Sequence, residues 1–140
     1  ALAELRDIMP TLLDAAGLPV PEGLDGRSLL PVLRGEAAAV RECLHGEHTL
    51  LGQSLQWIHD GRMKYVWFSG DGREQPFDLL KDPQELHDCS AERPAELASL
   101  RGRLVAALAG SSEGYVADGR LVPGRPPCAM QPWAETGLPA

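Results

Sequence analysis

The densest chemistry in this 140-residue chain is His45-Gly46-Glu47-His48. Two imidazoles three positions apart, with a carboxylate between them, are residue types that ligate a metal or hold an anion. On a strand that spacing works against joint action, because side chains alternate faces and positions three apart diverge. A shared site would need a bulge, and Gly46 is where one would form. The zinc-protease motif His-Glu-x-x-His is absent. A solvated or hydrogen-bonded structural role is the simpler reading of the cluster, and contact with an anionic substrate the sharper one. Lys64 and Arg62 form a second candidate pair. Lys64 can reach an anionic ligand, or it can stack on Trp57, a contact worth roughly 0.5–1 kcal/mol at an exposed site. The candidate substrate contacts are therefore His45, His48 and Lys64. Ser28, Asp14 and the histidines make no recognisable nucleophile–base pattern, so no catalytic residue and no metal ligand is assigned.

Bulk properties narrow the field. The three cysteines, Cys43, Cys89 and Cys128, are far apart and form no Cys-x-x-Cys pair, which reads as free thiols rather than a zinc ribbon or redox motif. A net charge of −7 and a pI of about 5.0 argue against nucleic acid or an anionic membrane as partner. No apolar run approaches the roughly 20 residues that span a bilayer. The chain opens inside a helix-like pattern, so its natural start is expected upstream. A bacterial-type cytoplasmic or periplasmic setting stays open.

To present the candidate residues the chain needs a sheet. Two apolar runs flank Asp60-Gly61, a dipeptide suited to the positive φ angles of a two-residue hairpin loop. With that loop, His59 faces Arg62, Ile58 faces Met63, Trp57 faces Lys64 and Gln56 faces Tyr65. One face then carries Ile58, Met63, Tyr65 and Trp67, and the other Leu55, Trp57, Val66 and Phe68. Both are apolar, whereas a small free-standing sheet usually leaves one face polar. One face should meet the chain's own helix and the other something further.

Gly70-Asp71-Gly72 returns the chain into Glu74–Leu79, Pro83 ends that strand, and Glu42–His48 is a possible extra strand. Pro83 to Leu86 reads as a helical turn. Pro94 opens the longest helix, with Leu97, Leu100, Leu104 and Leu108 at helical spacing. Ala1 to Ala16 reads as a helix capped by Asp7, with Ile8, Leu12, Leu13 and Ala16 on one face and Gly17 as its stop. Ser28 caps a short helix that Gly35 ends. The expected fold is α+β, a small antiparallel sheet of three to four strands packed against a long C-terminal helix, with N-terminal helical segments. Residues 1–41 form a helical segment and linker, 42–112 the sheet and long helix, and 113–140 a Pro/Gly-rich tail, disordered or laid across a larger body.

These residues resemble a known family. Asp7-Ile8-Met9-Pro10-Thr11-Leu12-Leu13-Asp14, Ala16-Gly17-Leu18-Pro19 and Leu24-Asp25-Gly26-Arg27-Ser28-Leu29-Leu30-Pro31 resemble the stretch that follows the catalytic domain in sulfatases. Asp60-Gly61-Arg62, Lys64-Tyr65, Trp67, Phe77-Asp78-Leu79 and Asp82-Pro83-Gln84-Glu85 resemble that family's C-terminal subdomain, in which a small antiparallel sheet packs with a long helix. The resemblance implies a C-terminal fragment of a sulfuric ester hydrolase of the alkaline phosphatase superfamily.

It also implies what must lie elsewhere. Sulfatases use a Cys or Ser in Cys/Ser-x-Pro-x-Arg, oxidised to formylglycine, beside a calcium ion held by Asp and Asn or Gln. Here Cys43 is followed by Leu-His, Cys89 by Ser-Ala and Cys128 by Ala-Met, and no Asp-Asp or Asp-Asn pair offers the oxygen ligands. Calcium and formylglycine are thus implied for an absent catalytic domain, with no cofactor in this fragment. The implied partner is that N-terminal catalytic domain, which this chain would brace while bordering its substrate cleft. Alone, the chain is expected to be inactive and to self-associate through an apolar sheet face. The alternatives are an autonomous binding or oligomerisation module of the same architecture, and a metal enzyme built on His45, Glu47 and His48.

Overall fold

The structure, a computed structural model, describes residues 1–50 and 52–127. Cys128 and Trp133 lie outside the described residues. At the centre is an antiparallel sheet of β1 (Leu44–Leu50), β2 (Gln53–His59), β3 (Met63–Phe68) and β4 (Glu74–Asp78), ordered as in the sequence. Aromatic and β-branched residues crowd β2 and β3, where they suit a half-buried pleated surface.

The central hairpin is set two residues away from the expected register. Asp60 pairs back to Met63, its N–H donating to the Met63 carbonyl at 3.1 Å, so the loop is Gly61-Arg62 rather than Asp60-Gly61. Beyond it His59 faces Lys64, Ile58 faces Tyr65 and Trp57 faces Val66. The reason is local. Asp60 Oδ1 accepts from the N–H groups of Arg62 and Met63 at 3.0 and 2.7 Å, which makes Asp60 the flank of the turn. Only Gly61 then needs a positive φ, and it has 97°. A shift of two preserves side-chain parity, so each face keeps its expected residues.

One face is closed by α3 (Pro94–Leu108). Leu100, Leu104 and Leu108 pack with Ile58, Met63, Tyr65, Trp67 and Cys89 in one core. The chain beyond the helix completes it. Tyr115 is buried with its ring edge-on to Trp67 at 5.5 Å, and β5 (Val116–Ala117) turns through Asp118-Gly119 into β6 (Arg120–Leu121). Gly124 N–H then reaches the Ser69 carbonyl at 2.7 Å. The first part of the Pro/Gly-rich segment is thus laid on the chain's own sheet.

The other face is less bare than its composition suggests. Val66 and Phe77 are buried, and Trp57 is half-buried with its indole over Gly46. A Cβ at Gly46 would sit 2.0 Å from that ring, so glycine is there to admit the tryptophan. No bulge forms, and β1 pairs with β2 one to one throughout. The segment after β4 contains turns rather than a helix between Pro83 and Leu86, and Glu85 takes a φ of 57°.

The N-terminal region differs most from expectation. Ala1–Glu4 is not helical. A 3-10 turn over Leu5–Asp7 leads into α1 (Ile8–Ala15), and α2 is a single turn at Leu30–Leu33. Gly17 and Gly35 follow these helices with φ of 69° and 74°, the left-handed stop glycine supplies.

Candidate functional site

The residues of the sulfatase-like motif in the first 41 positions turn inward onto one another. Asp7 does not cap α1 with its side chain. Its carboxylate is instead wholly buried and accepts from four directions: a bidentate Arg41 guanidinium, the Glu4 N–H at 2.9 Å and the Arg27 N–H at 2.8 Å. The Arg41 guanidinium, aided by the two backbone donors, holds this carboxyl far below the usual carboxylate range despite burial.

Thr11 Oγ1 donates to the Asp7 carbonyl at 2.6 Å and accepts from Leu29 N–H at 2.9 Å. Ser28 Oγ donates to Asp14 and accepts from Leu30 N–H at 3.2 Å, so it ties the start of α2 to α1. Gly26 passes so close that a Cβ would lie 1.8 Å from the Arg6 carbonyl oxygen. Asp7, Thr11, Asp14, Gly26, Arg27, Ser28 and Arg41 form a polar clamp that fixes α1 against residues 26–41.

The outer side of that clamp is apolar. Leu5 is 84%, Leu12 64%, Ile8 54% and Met9 51% exposed. Their spacing of i, i+3, i+4 and i+7 makes one stripe along the 3-10 turn and α1. Leu18 and Leu33 are exposed as well. A stripe of this kind marks an interaction surface. Sequence reasoning put the uncovered apolar surface on the sheet; the largest exposed apolar side chains instead lie in this segment and at Leu80 and Leu86. The 3.6-residue periodicity marked the helix, but it could not tell which side the polar motif would claim.

His45, His48 and Lys64 are not brought together. His45 lies on the helix-side face, its Nε2 2.8 Å from Gln56 Oε1. His48 sits three positions on in an unbroken strand, on the opposite face and exposed. Lys64 is two strands away. Its Nζ is ion-paired with Glu85 at 2.8 Å and lies 5.7 Å from the Trp57 ring centroid, diagonal to the tryptophan rather than opposite it. Arg62 pairs with Asp78, which also holds Arg93, each at 3.0 Å. A cleft of about 890 Å³ is lined by Arg41, Arg62 and Arg103, all three facing carboxylates.

Among the described residues no group of three or more His, Cys, Asp or Glu could hold a metal ion. Cys89-Ser90-Ala91-Glu92-Arg93 sets a cysteine four before an arginine, with alanine where the sulfatase signature has proline. Its thiol is buried, donates to the Pro76 carbonyl at 3.3 Å, and is pushed up by that burial. These residues do not fit a formylglycine–calcium centre. No helix of the described residues is long and apolar enough to cross a membrane.

Known proteins carry the same pattern. An arylsulfatase of Clostridium perfringens is 41% identical over 125 residues, which cover 88% of this chain and 26% of that protein. The chain belongs to the sulfatase family, as a C-terminal part of such a protein. Arylsulfatase K of Rattus norvegicus is 36% identical over 117 residues, 74% of this sulfatase chain and 20% of the rat protein. The chain thus spans about a quarter or less of the length of these relatives. Among solved structures, a 2-O GAG sulfatase superposes with a TM-score of 0.68 at 29% identity, over 78% of this chain and 25% of that one. A phosphonate monoester hydrolase from Silicibacter pomeroyi superposes at 0.58 and 27% identity, over 74% and 24%. No family model matches.

Proposed function

We propose that this chain braces the catalytic part of a sulfuric ester hydrolase, docking through the stripe of Leu5, Ile8, Met9 and Leu12. The observation that carries the reading is the clamp. Asp7 and Arg41 hold α1 rigidly with its apolar side outward, a cost in solvent that makes sense against a neighbour. Residues 1–41 then act as the hinge piece between the catalytic part and the sheet-and-helix body. Formylglycine and calcium, which the family uses for sulfate ester cleavage, belong to the catalytic part. The chain alone is inactive and self-associates through the stripe. His48 and Lys64, on the sheet face away from α3, border the substrate cleft. Relatives that cleave aryl sulfates and hexuronate 2-O-sulfates support a sulfate ester as substrate. The phosphonate monoester hydrolase, with the same fold over this region, supports placing reaction specificity outside it.

The test is the reading frame upstream of Ala1 together with the whole protein's activity. A Cys/Ser-x-Pro-x-Arg motif upstream and hydrolysis of 4-nitrophenyl sulfate, abolished when that Cys or Ser becomes Ala, are expected. An upstream sequence with no such motif, in a protein that leaves the ester intact, would overturn the reading.

A further inference from the structure

Outside the N-terminal segment, two large apolar side chains stand in water within one short stretch, Leu80 at 74% and Leu86 at 69% exposed. The backbone that carries them is held. The Asp78 carbonyl accepts from the N–H groups of Lys81 and Asp82 at 3.0 and 2.8 Å. Asp82 accepts from Glu85 N–H through its carbonyl at 3.2 Å and from His87 N–H through Oδ2 at 2.7 Å. Glu85 takes a left-handed φ of 57°, which glycine would adopt more readily. Its carboxylate explains its presence there, because both oxygens accept from Lys64 Nζ, at 2.9 and 2.8 Å. As at the α1 clamp, polar groups fix the backbone and the apolar side chains are turned out.

Their place in the fold says what can reach them. Leu79 N–H donates to the Arg62 carbonyl at 2.9 Å and the Arg62 guanidinium pairs with Asp78, so Leu80 stands beside the Gly61-Arg62 turn. Leu86 follows Glu85, whose partner Lys64 lies two residues past that turn. The same turn forms one wall of the 890 Å³ cleft, and Ala1, Leu2 and Arg41 form another. Arg41 is also the residue that holds Asp7 beneath the stripe. The catalytic part precedes Ala1 and so enters at this cleft, between the clamp and the turn beside Leu80. Joined in one chain, it is present at high local concentration, so a small apolar contact suffices to hold it. A single contact at the stripe would leave it free to pivot, and a contact across the cleft would stop that.

We propose that Leu80 and Leu86 form a second docking point for the catalytic part of the same protein, taking an apolar patch on its surface. This rests on the reading of the chain as a brace and adds the contact that fixes orientation.

Maleimide labelling of the whole protein, read by peptide mass, tests it. Single variants place a thiol at each site: Leu80→Cys, Leu86→Cys, Leu12→Cys in the stripe, and Asp71→Cys as an exposed reference at the opposite end of the sheet. Labelling at 80 and 86 should be at least about tenfold slower than at 71, at every protein concentration. In a second measurement, the whole protein carrying Leu80→Gln and Leu86→Gln should exchange the amides of 79–88 at least about tenfold faster than the parent, with Leu100–Leu108 unchanged. Labelling at 80 and 86 as fast as at 71 would overturn the proposal. So would slowing that vanishes on dilution, which would mean a second copy covers the pair. Slow labelling at 12 beside fast labelling at 80 and 86 would remove this docking point and leave the brace reading standing.

Discussion

In the sheet-and-helix body, Ile58, Tyr65, Trp67, Leu100 and Leu104 are almost fully withdrawn from solvent, whereas in the N-terminal segment Leu5, Ile8, Met9 and Leu12 keep half or more of their surface exposed. The body buries mainly apolar side chains, with Asp78 beneath Arg62 and Arg93 as its buried charge, and keeps the Lys64–Glu85 pair partly exposed. The N-terminal segment buries Asp7 and Arg41 and turns its apolar stripe out. A region with its polar groups satisfied inside and its apolar groups outside is finished on one side only. The core of the body is closed by this chain, with Leu80 and Leu86 left outside it, whereas the stripe of the segment is left uncovered and on the proposed reading is where the catalytic part docks.

The largest effect that can break this contrast is at the clamp. Asp7→Ala takes the bidentate partner from the buried Arg41 and leaves it only Glu4 at 3.2 Å, a loss of up to about 3–5 kcal/mol for that kind of pair. Hydrogen exchange should show Ile8–Ala15 losing protection while Leu100–Leu108 keeps it. Equal loss in both would merge the two regions into one cooperative unit. Leu104→Ala should do the reverse, lowering the melting transition of the body by about 2–5 kcal/mol.

Acid provides a third handle. The Asp7 carboxyl is held far below its unfolded value of about 3.9, so its stabilisation is present above that pH and is lost only as pH falls toward the folded value. Exchange protection in α1 should therefore survive at pH 4 and fail only in stronger acid. Loss of protection near pH 5 would contradict the clamp. At the small end, Lys64→Ala should cost under about 1 kcal/mol in thermal melts, because its pair with Glu85 is partly exposed. Replacing both Ile8 and Leu12 by Gln should leave the melt within about 0.5 kcal/mol, since both lie in water already. It should also abolish concentration-dependent self-association in sedimentation.

Much of the fold was legible because the deciding signals were local. Alternation in β2 and β3, the leucine spacing of α3 and the stop at Gly17 each depend on neighbours in sequence, and each element formed. The hairpin register was not legible, because it turned on Asp60 choosing to bond the N–H groups of Arg62 and Met63 instead of entering the loop. The role of Gly46 was hidden for a similar reason, since only its pairing with Trp57 shows why a side chain is excluded there. Asp7 looked like a helix cap from its position, yet its main partner, Arg41, is 34 residues away. The candidate histidines were separated by strand parity, which the spacing itself announced. Gln56 carried no chemical signature in sequence, and only the folded sheet shows it buried between Glu47 and His45 and bonded to both.

The account rests on the stripe of α1 as the seat of the catalytic part. The direct measurement is to supply this chain in trans to the remainder of the same protein, expressed separately, and to read hydrolysis of 4-nitrophenyl sulfate and co-elution on size exclusion. The account predicts that the parent chain binds and restores activity, and that a chain carrying Ile8→Asp and Leu12→Asp, with its body fold intact by circular dichroism, does neither. Equal binding and activity from that variant would contradict it.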